Sequence, residues 1–224
     1  MISAKDTVAD IVLQHSECAP VFQKHRIDFC CRGHLPLEEA AKARNLDAEA
    51  LVAELEDAVK SRLGQQVATD FREMRTPTVI AHIIASHHEY LRRALPFLVP
   101  LAAKVARVHG GENPRLRDLD VVVRELHDAL LPHLDREEDT LFPALMSKEP
   151  DPVLVQRELA EMMADHLEVA ELIERMRNAT EDYRLPAHAC NSYRTLFAEL
   201  EKMESDILRH VHLENHVLMP RFSA

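Results

Sequence analysis

The chain has 224 residues, 46% apolar and 29% charged, the balance of a soluble globular protein with a sizeable core and not of a disordered tail. A net charge of −11 excludes an electrostatic nucleic-acid surface, which needs clustered Lys and Arg, and no apolar run approaches the roughly 20 residues of a membrane span. Four glycines, no tryptophan and abundant Ala, Leu, Glu and Arg predict an all-α protein.

Residues 1–60 read as a small helical domain. Thr7 caps a helix beginning at Val8, and Leu37 to Arg44 and Ala48 to Val59 read as two more. Between them Asp28-Phe29-Cys30-Cys31-Arg32-Gly33-His34-Leu35-Pro36 is a turn by its Gly and Pro content. The adjacent cysteines can be a redox pair, a transient pair of metal ligands, or two small buried residues; flanking Arg32 and His34 are expected to help hold a thiolate. The four cysteines, Cys18, Cys30, Cys31 and Cys190, are irregularly spaced and fit a reducing compartment better than a disulfide framework. With Lys5 and Asp6 near its start the chain lacks a signal-peptide layout, so a cytoplasmic location is expected.

Residues 61–75 are polar and read as a linker. Residues 76–224 then carry four long helices. Thr76-Pro77, Asn113-Pro114 and Asp151-Pro152 each pair an N-cap residue with proline at the first helical position, and Pro186 is read as opening the fourth. The helices are expected over about 77–109, 114–148, 152–178 and 186–221. Short connections between them predict an up-down-up-down four-helix bundle. Pro96, Pro100 and Pro132 are expected to kink their helices.

Steps of three and four along each helix pick out one apolar seam. In the first it runs Ile84, His88, Leu91, Leu95; in the second, Leu130, His133, Glu137, Thr140, Ala144. In the third it runs Met162, His166, Val169, and in the fourth Ile207, His210, Glu214, Val217. The only ionisable residues in these seams are four histidines and two glutamates. The second and fourth helices share an eleven-residue pattern: His133, Glu137, Leu141 and Pro143 return 77 positions later as His210, Glu214, Leu218 and Pro220. In antiparallel helices rising about 1.5 Å per residue, the six polar seam residues fall within a slab of roughly 9 Å. The spacing from lone His to His-Glu pair, 45 residues for His88 to His133 and 44 for His166 to His210, marks an internal duplication of a helical hairpin.

Buried carboxylates and imidazoles cost several kcal/mol unless something pairs them. A single seam histidine commonly finds a hydrogen bond, but six such residues at one level point to metal. Four imidazoles and two carboxylates exceed one tetrahedral zinc; they suit two metals, each with two histidines, both carboxylates bridging. Iron, manganese and zinc fit the donors alike. Of the remaining histidines, His87 is expected at the rim. His212 and His216 point about 160° away from His210 and Glu214 and are expected on a solvated face.

On these residues the bundle resembles the hemerythrin-like di-iron domain. With Asp28-Phe29-Cys30-Cys31 and a following Leu-Glu-Glu-Ala-Ala segment before it, the whole chain resembles the iron-sulfur cluster repair di-iron proteins. The resemblance implies two non-heme iron ions, oxo-bridged, held by His88, His133, Glu137, His166, His210 and Glu214. It implies repair of iron-sulfur clusters damaged by nitric oxide or oxidative stress, by supplying iron, with iron-sulfur proteins as clients. Cys30 and Cys31 are expected to take part by passing iron or electrons, and a homodimer is carried as the possible assembly. The alternatives on the same site are a nitric oxide reductase, a sensor or sequestering protein for nitric oxide or oxygen, and a structurally zinc-loaded bundle.

Overall fold

The computed structural model describes residues 1–61 and 70–222. Contacts divide the chain into two compact units. One is Met1–Arg75 with Leu208–Arg221; the other is Thr76–Ile207 with Phe222–Ala224. No described helix is long and apolar enough to cross a membrane.

The first unit is built from short helices. Helix α1 (Val8–Gln14) starts where Thr7 accepts a hydrogen bond from the Asp10 amide, as its sequence predicts. α2 (Ala19–Lys24) was not foreseen; Pro20 near its start is the signal that marks it. α3 (Leu37–Ala43) and α4 (Ala48–Ser61) follow. Phe22, Leu37, Leu51 and Leu55 form the core among them. Of the expected linker, residues 62–69 lie outside the described residues. At its end Asp70 caps a 3-10 turn over Phe71–Glu73, and Arg221 donates to the Phe71 carbonyl at 3.0 Å.

The second unit holds the bundle. α5 (Thr76–Ile83) and α6 (Glu89–His109) are one rod joined by a π-helical turn at Ile84–His88. α7 (Arg115–Arg136) and α8 (Phe142–Met146) are likewise joined by a π turn at Glu137–Leu141. α9 (Pro152–Thr180) runs unbroken from its Asp151 cap, whose carboxylate accepts from the Val153 and Leu154 amides. α10 (Asn191–Leu213) is continuous with a third π turn, Glu214–Leu218. Leu95, Leu98, Leu126, Leu130, Met176, Leu196 and Leu200 are among its fully buried side chains.

The fourth helix starts at Asn191, not at Pro186. Glu181, Asp182 and Tyr183 all adopt left-handed backbone, which costs about 1–2 kcal/mol each for a non-glycine residue. A buried network offsets that cost: Arg177 donates to Glu204 at 2.8 Å and to Asp182 at 3.0 Å, and the Tyr183 hydroxyl donates to Glu204. Pro186 then accepts from the Ala189 amide in a separate turn, so the helix opens only after Cys190.

The irregularities sit where seam histidines and glutamates do, not at Pro96, Pro100 or Pro132, which lie inside α6 and α7. The repeated motif explains two of the three π turns. The amides of Phe142 and Met219 donate five residues back, to the carbonyls of Glu137 and Glu214. The next residues, Pro143 and Pro220, have no N–H and would collide with the carbonyl four residues back in a regular helix. Widening the turn accommodates them. A π turn also inserts one residue and rotates the face, so Leu141, Phe142 and Leu145 are buried, where the seam count placed Thr140 and Ala144. In the first rod Ile83 replaces Ile84 inside for the same reason, and His87 is buried beside His88, not at the rim.

Candidate metal centre

In the bundle unit, His88 closes its π turn and Glu137 opens the next. Both are buried, with His133 and His166. Glu137 stands between two histidines: its Oε2 is 3.4 Å from His88 Nε2, and its Oε1 is 3.4 Å from His133 Nε2. Two donors each about 2.1 Å from a common cation lie about 3.0–3.6 Å apart at angles of about 90–120°. Each carboxylate oxygen of Glu137 thus has a histidine nitrogen at the separation of two ligands on one cation. His166 completes one side: donor atoms of His133, Glu137 and His166 lie within 4.8 Å of one another, and the rings of His133 and His166 are 5.1 Å apart at 66°.

The outer nitrogens are held by carboxylates. His88 Nδ1 is 2.9 Å from Glu138 Oε1, and His133 Nδ1 is 3.1 Å from Asp165 Oδ2. An imidazole that donates from Nδ1 is fixed in the tautomer that offers a lone pair at Nε2. The buried Nε2 of His133 has no hydrogen-bond partner among the described residues, which is the state of a nitrogen kept for a cation. Arg92 donates to Glu138 at 3.0 Å. Burial pushes the Glu138 pKa up, but the hydrogen bonds from His88 and Arg92 outweigh it and hold the carboxyl below its usual range. The hydrogen bond from His133 keeps Asp165 low as well. Glu138, Asp165 and Arg92 were not foreseen. The signals were there: Glu138 follows the seam glutamate, Asp165 precedes the seam histidine, and Arg92 lies one turn past His88. The phenyl ring of Phe142 stacks on His88 at 5.7 Å, and His87 Nδ1 meets Asp206 at 2.9 Å.

His210 and Glu214 lie on the last turns of α10 and its π extension, which pack in the first unit. Both are fully buried, with His210 Nε2 2.8 Å from Glu214 Oε1. Burying this pair demands a compensating partner, as it does for its copy. The other face of the same turns is not solvated. His212 is buried and its Nδ1 donates to the Phe29 carbonyl at 3.0 Å. Asn215 Nδ2 and His216 Nε2 donate to the Cys30 carbonyl at 3.0 and 2.8 Å. The N-terminal turn covers this face, a long-range contact that helical periodicity does not register. Burial, reinforced by repulsion from His216, lowers the His212 pKa to about 4, so it binds the loop as a neutral ring.

The cysteine turn differs from expectation. Arg32 and His34 are exposed, while Cys30 is buried and Cys31 half-buried. Asp28 organises the turn: its Oδ1 accepts from the amides of Cys30 and Cys31 at 3.0 and 2.8 Å and lies 3.2 Å from Cys30 Sγ. Contact with Cys31, burial and the Asp28 charge all raise the Cys30 pKa well above that of an ordinary thiol, the reverse of thiolate stabilisation by Arg32 and His34. Cys18 is pushed up to about 12 by burial and by Glu17, as befits a core residue.

Two family descriptions match. Residues 79–222 match the "Hemerythrin HHE cation binding domain", and residues 4–59 match a "Domain of Unknown function (DUF542)". The chain is 33% identical over 225 residues to an iron-sulfur cluster repair protein ScdA of Staphylococcus haemolyticus, with 100% of both chains covered. It is 32% identical over 214 residues to an iron-sulfur cluster repair protein YtfE of an Enterobacter species, covering 96% of this chain and 94% of the relative. The corresponding Escherichia coli protein, also named YtfE, is 31% identical over 215 residues, with 96% and 94% covered. With a hemerythrin HHE cation-binding domain behind an ScdA-type N-terminal domain, and buried His and Glu side chains at cation-ligand spacing within it, the chain belongs to the ScdA and YtfE family of iron-sulfur cluster repair proteins.

Proposed function

We propose that this protein repairs damaged iron-sulfur clusters by supplying iron from a pair of non-heme ions, oxo-bridged, held by His88, His133, Glu137, His166, His210 and Glu214. The observation that carries the reading is Glu137, buried with one oxygen 3.4 Å from the Nε2 of His88 and the other 3.4 Å from that of His133. His210 and Glu214 repeat the His133 and Glu137 spacing and are buried just as completely. Their place in the ligand set rests on that duplication. Mixed nitrogen and oxygen donors suit iron(II) and iron(III). When bound, the ions supply redox chemistry and releasable iron.

The side chains of this chain have separable tasks. Glu138 and Asp165 accept the Nδ1 protons of His88 and His133 and so keep each Nε2 as a lone-pair donor. Arg92 keeps Glu138 ionised. Phe142 stacks on one face of His88 and packs its ring in place. Cys30 and Cys31 share a unit with His210 and Glu214 and are assigned a part in handling the iron.

The test is reactivation of a nitric-oxide-damaged iron-sulfur enzyme by the purified, iron-loaded chain. The wild type restores activity and Glu137→Leu, still helical by circular dichroism, does not. Full repair by Glu137→Leu, or by wild type whose iron is retained while activity returns, contradicts iron supply. If Cys30→Ala/Cys31→Ala repairs fully with iron bound, the cysteines have no part in it.

A further inference from the structure

Outside the His and Glu centre, the described residues hold one further group of converging ligand atoms. Donor atoms of Asp28, Cys30 and Cys31 lie within 4.8 Å of one another, with the two Sγ atoms 3.6 Å apart and Cys30 Sγ 3.2 Å from Asp28 Oδ1. Around a common cation, with metal–sulfur bonds of about 2.3 Å and metal–oxygen bonds of about 2.1 Å, two thiolates lie about 3.3–3.8 Å apart. A thiolate and a carboxylate oxygen lie about 3.1–3.6 Å apart, for ligand angles of about 90–110°. The observed separations fall at those values. A disulfide would instead need about 2.05 Å.

The turn is also held as a ligand set must be. The amides of Cys30 and Cys31 both donate to Asp28, which fixes both cysteines relative to the carboxylate. Asn215 and His216 grip the Cys30 carbonyl, and His212 grips that of Phe29. Gly33 lets the turn close: a Cβ there would lie 2.5 Å from the Phe29 carbonyl oxygen, 2.7 Å from Ala9 Cβ and 2.9 Å from His216 Nε2. Cys18 shows the contrast, a buried thiol that faces the Leu55 carbonyl at 3.8 Å. A core role alone does not place a carboxylate against two thiols.

We propose that Asp28, Cys30 and Cys31 form a second cation site, for a borderline-soft divalent ion such as iron(II) or zinc(II), with a coordination position left for a ligand from solvent or from a client protein. Binding exchanges the two thiol protons for the cation and involves no electron transfer. The site is defined by its own donors and stands whether or not the His and Glu centre carries iron.

Cobalt(II) titration of the reduced full-length chain tests it. Wild type and Glu137→Leu should both develop the near-ultraviolet thiolate-to-cobalt band, and cobalt should slow alkylation of Cys31 by iodoacetamide at least tenfold. In the Glu137→Leu background, Cys31→Ser should abolish the band and Asp28→Asn should weaken cobalt binding about tenfold or more. Absence of the band in both wild type and Glu137→Leu, with Cys31 alkylated equally fast with and without cobalt, overturns the proposal. The alkylation measurement needs no cysteine variant, so it decides even if Cys31→Ser fails to fold. Loss of repair with the band intact would count against the proposed function and leave this site standing.

Discussion

The two copies of the eleven-residue motif keep the same inner face and have exchanged their outer ones. In the first copy Glu138 holds His88, and Asp135 pairs with Arg92 at 2.6 Å at the surface. In the second, the same slots are Asn215 and His212, Asp139 is replaced by His216, and all three new residues bind backbone carbonyls of the cysteine turn. Both copies retain His, Glu and the proline that follows the π turn. A duplicated hairpin can therefore preserve a ligand geometry on one side while the other side acquires a separate task, because side chains one or two positions apart on a helix face different neighbours.

The outer slot held by Glu138 in one copy and Asn215 in the other should separate the two copies most clearly. Glu138→Gln should weaken metal binding about 10–100-fold, the usual cost of losing a carboxylate behind a ligating histidine, while Asn215→Asp should change it by no more than a few-fold; competition with a chelator measures both. Equal losses in the two variants would mean that the copies have not diverged in this respect. Next in size, Gly33→Ala should destabilise the first unit by about 1–3 kcal/mol through overpacking, seen as an earlier denaturant midpoint and faster alkylation of Cys30. The smallest effect concerns Glu158. Its carboxyl is held below the usual range by the Arg136 guanidinium, against burial and with help from Arg157. A depressed pKa contributes stability above about 4.5, the unfolded value, and loses it as pH falls through the lower folded value. Glu158→Gln should therefore lower the bundle's stability at neutral pH and flatten the acid limb of its stability curve, the variant and the wild type converging as pH falls below the folded value.

Much of this was legible in the residues. Caps and prolines place three of the four long helices to within two residues, and counting along the seams finds every buried His-Glu pair. The π turns were not legible from periodicity, because one inserted residue shifts a face without altering composition; the proline six positions after each glutamate was the available clue. Glu138 and Asp165 look like solvent-facing acids until the neighbouring helix is present. His212 and His216 look solvated for a related reason: their partners are more than 180 residues away in sequence. The Cys30 environment inverts because the nearest charge in space is Asp28, whereas Arg32 and His34, its neighbours in sequence, turn outward.

If Glu137 bridges a cation pair as proposed, iron quantification with Mössbauer spectroscopy on the anaerobically purified chain should find about two irons per chain, giving the signal of a spin-coupled pair that disappears in Glu137→Leu. A single uncoupled iron, a colourless zinc-loaded protein, or a coupled pair that survives Glu137→Leu would contradict it.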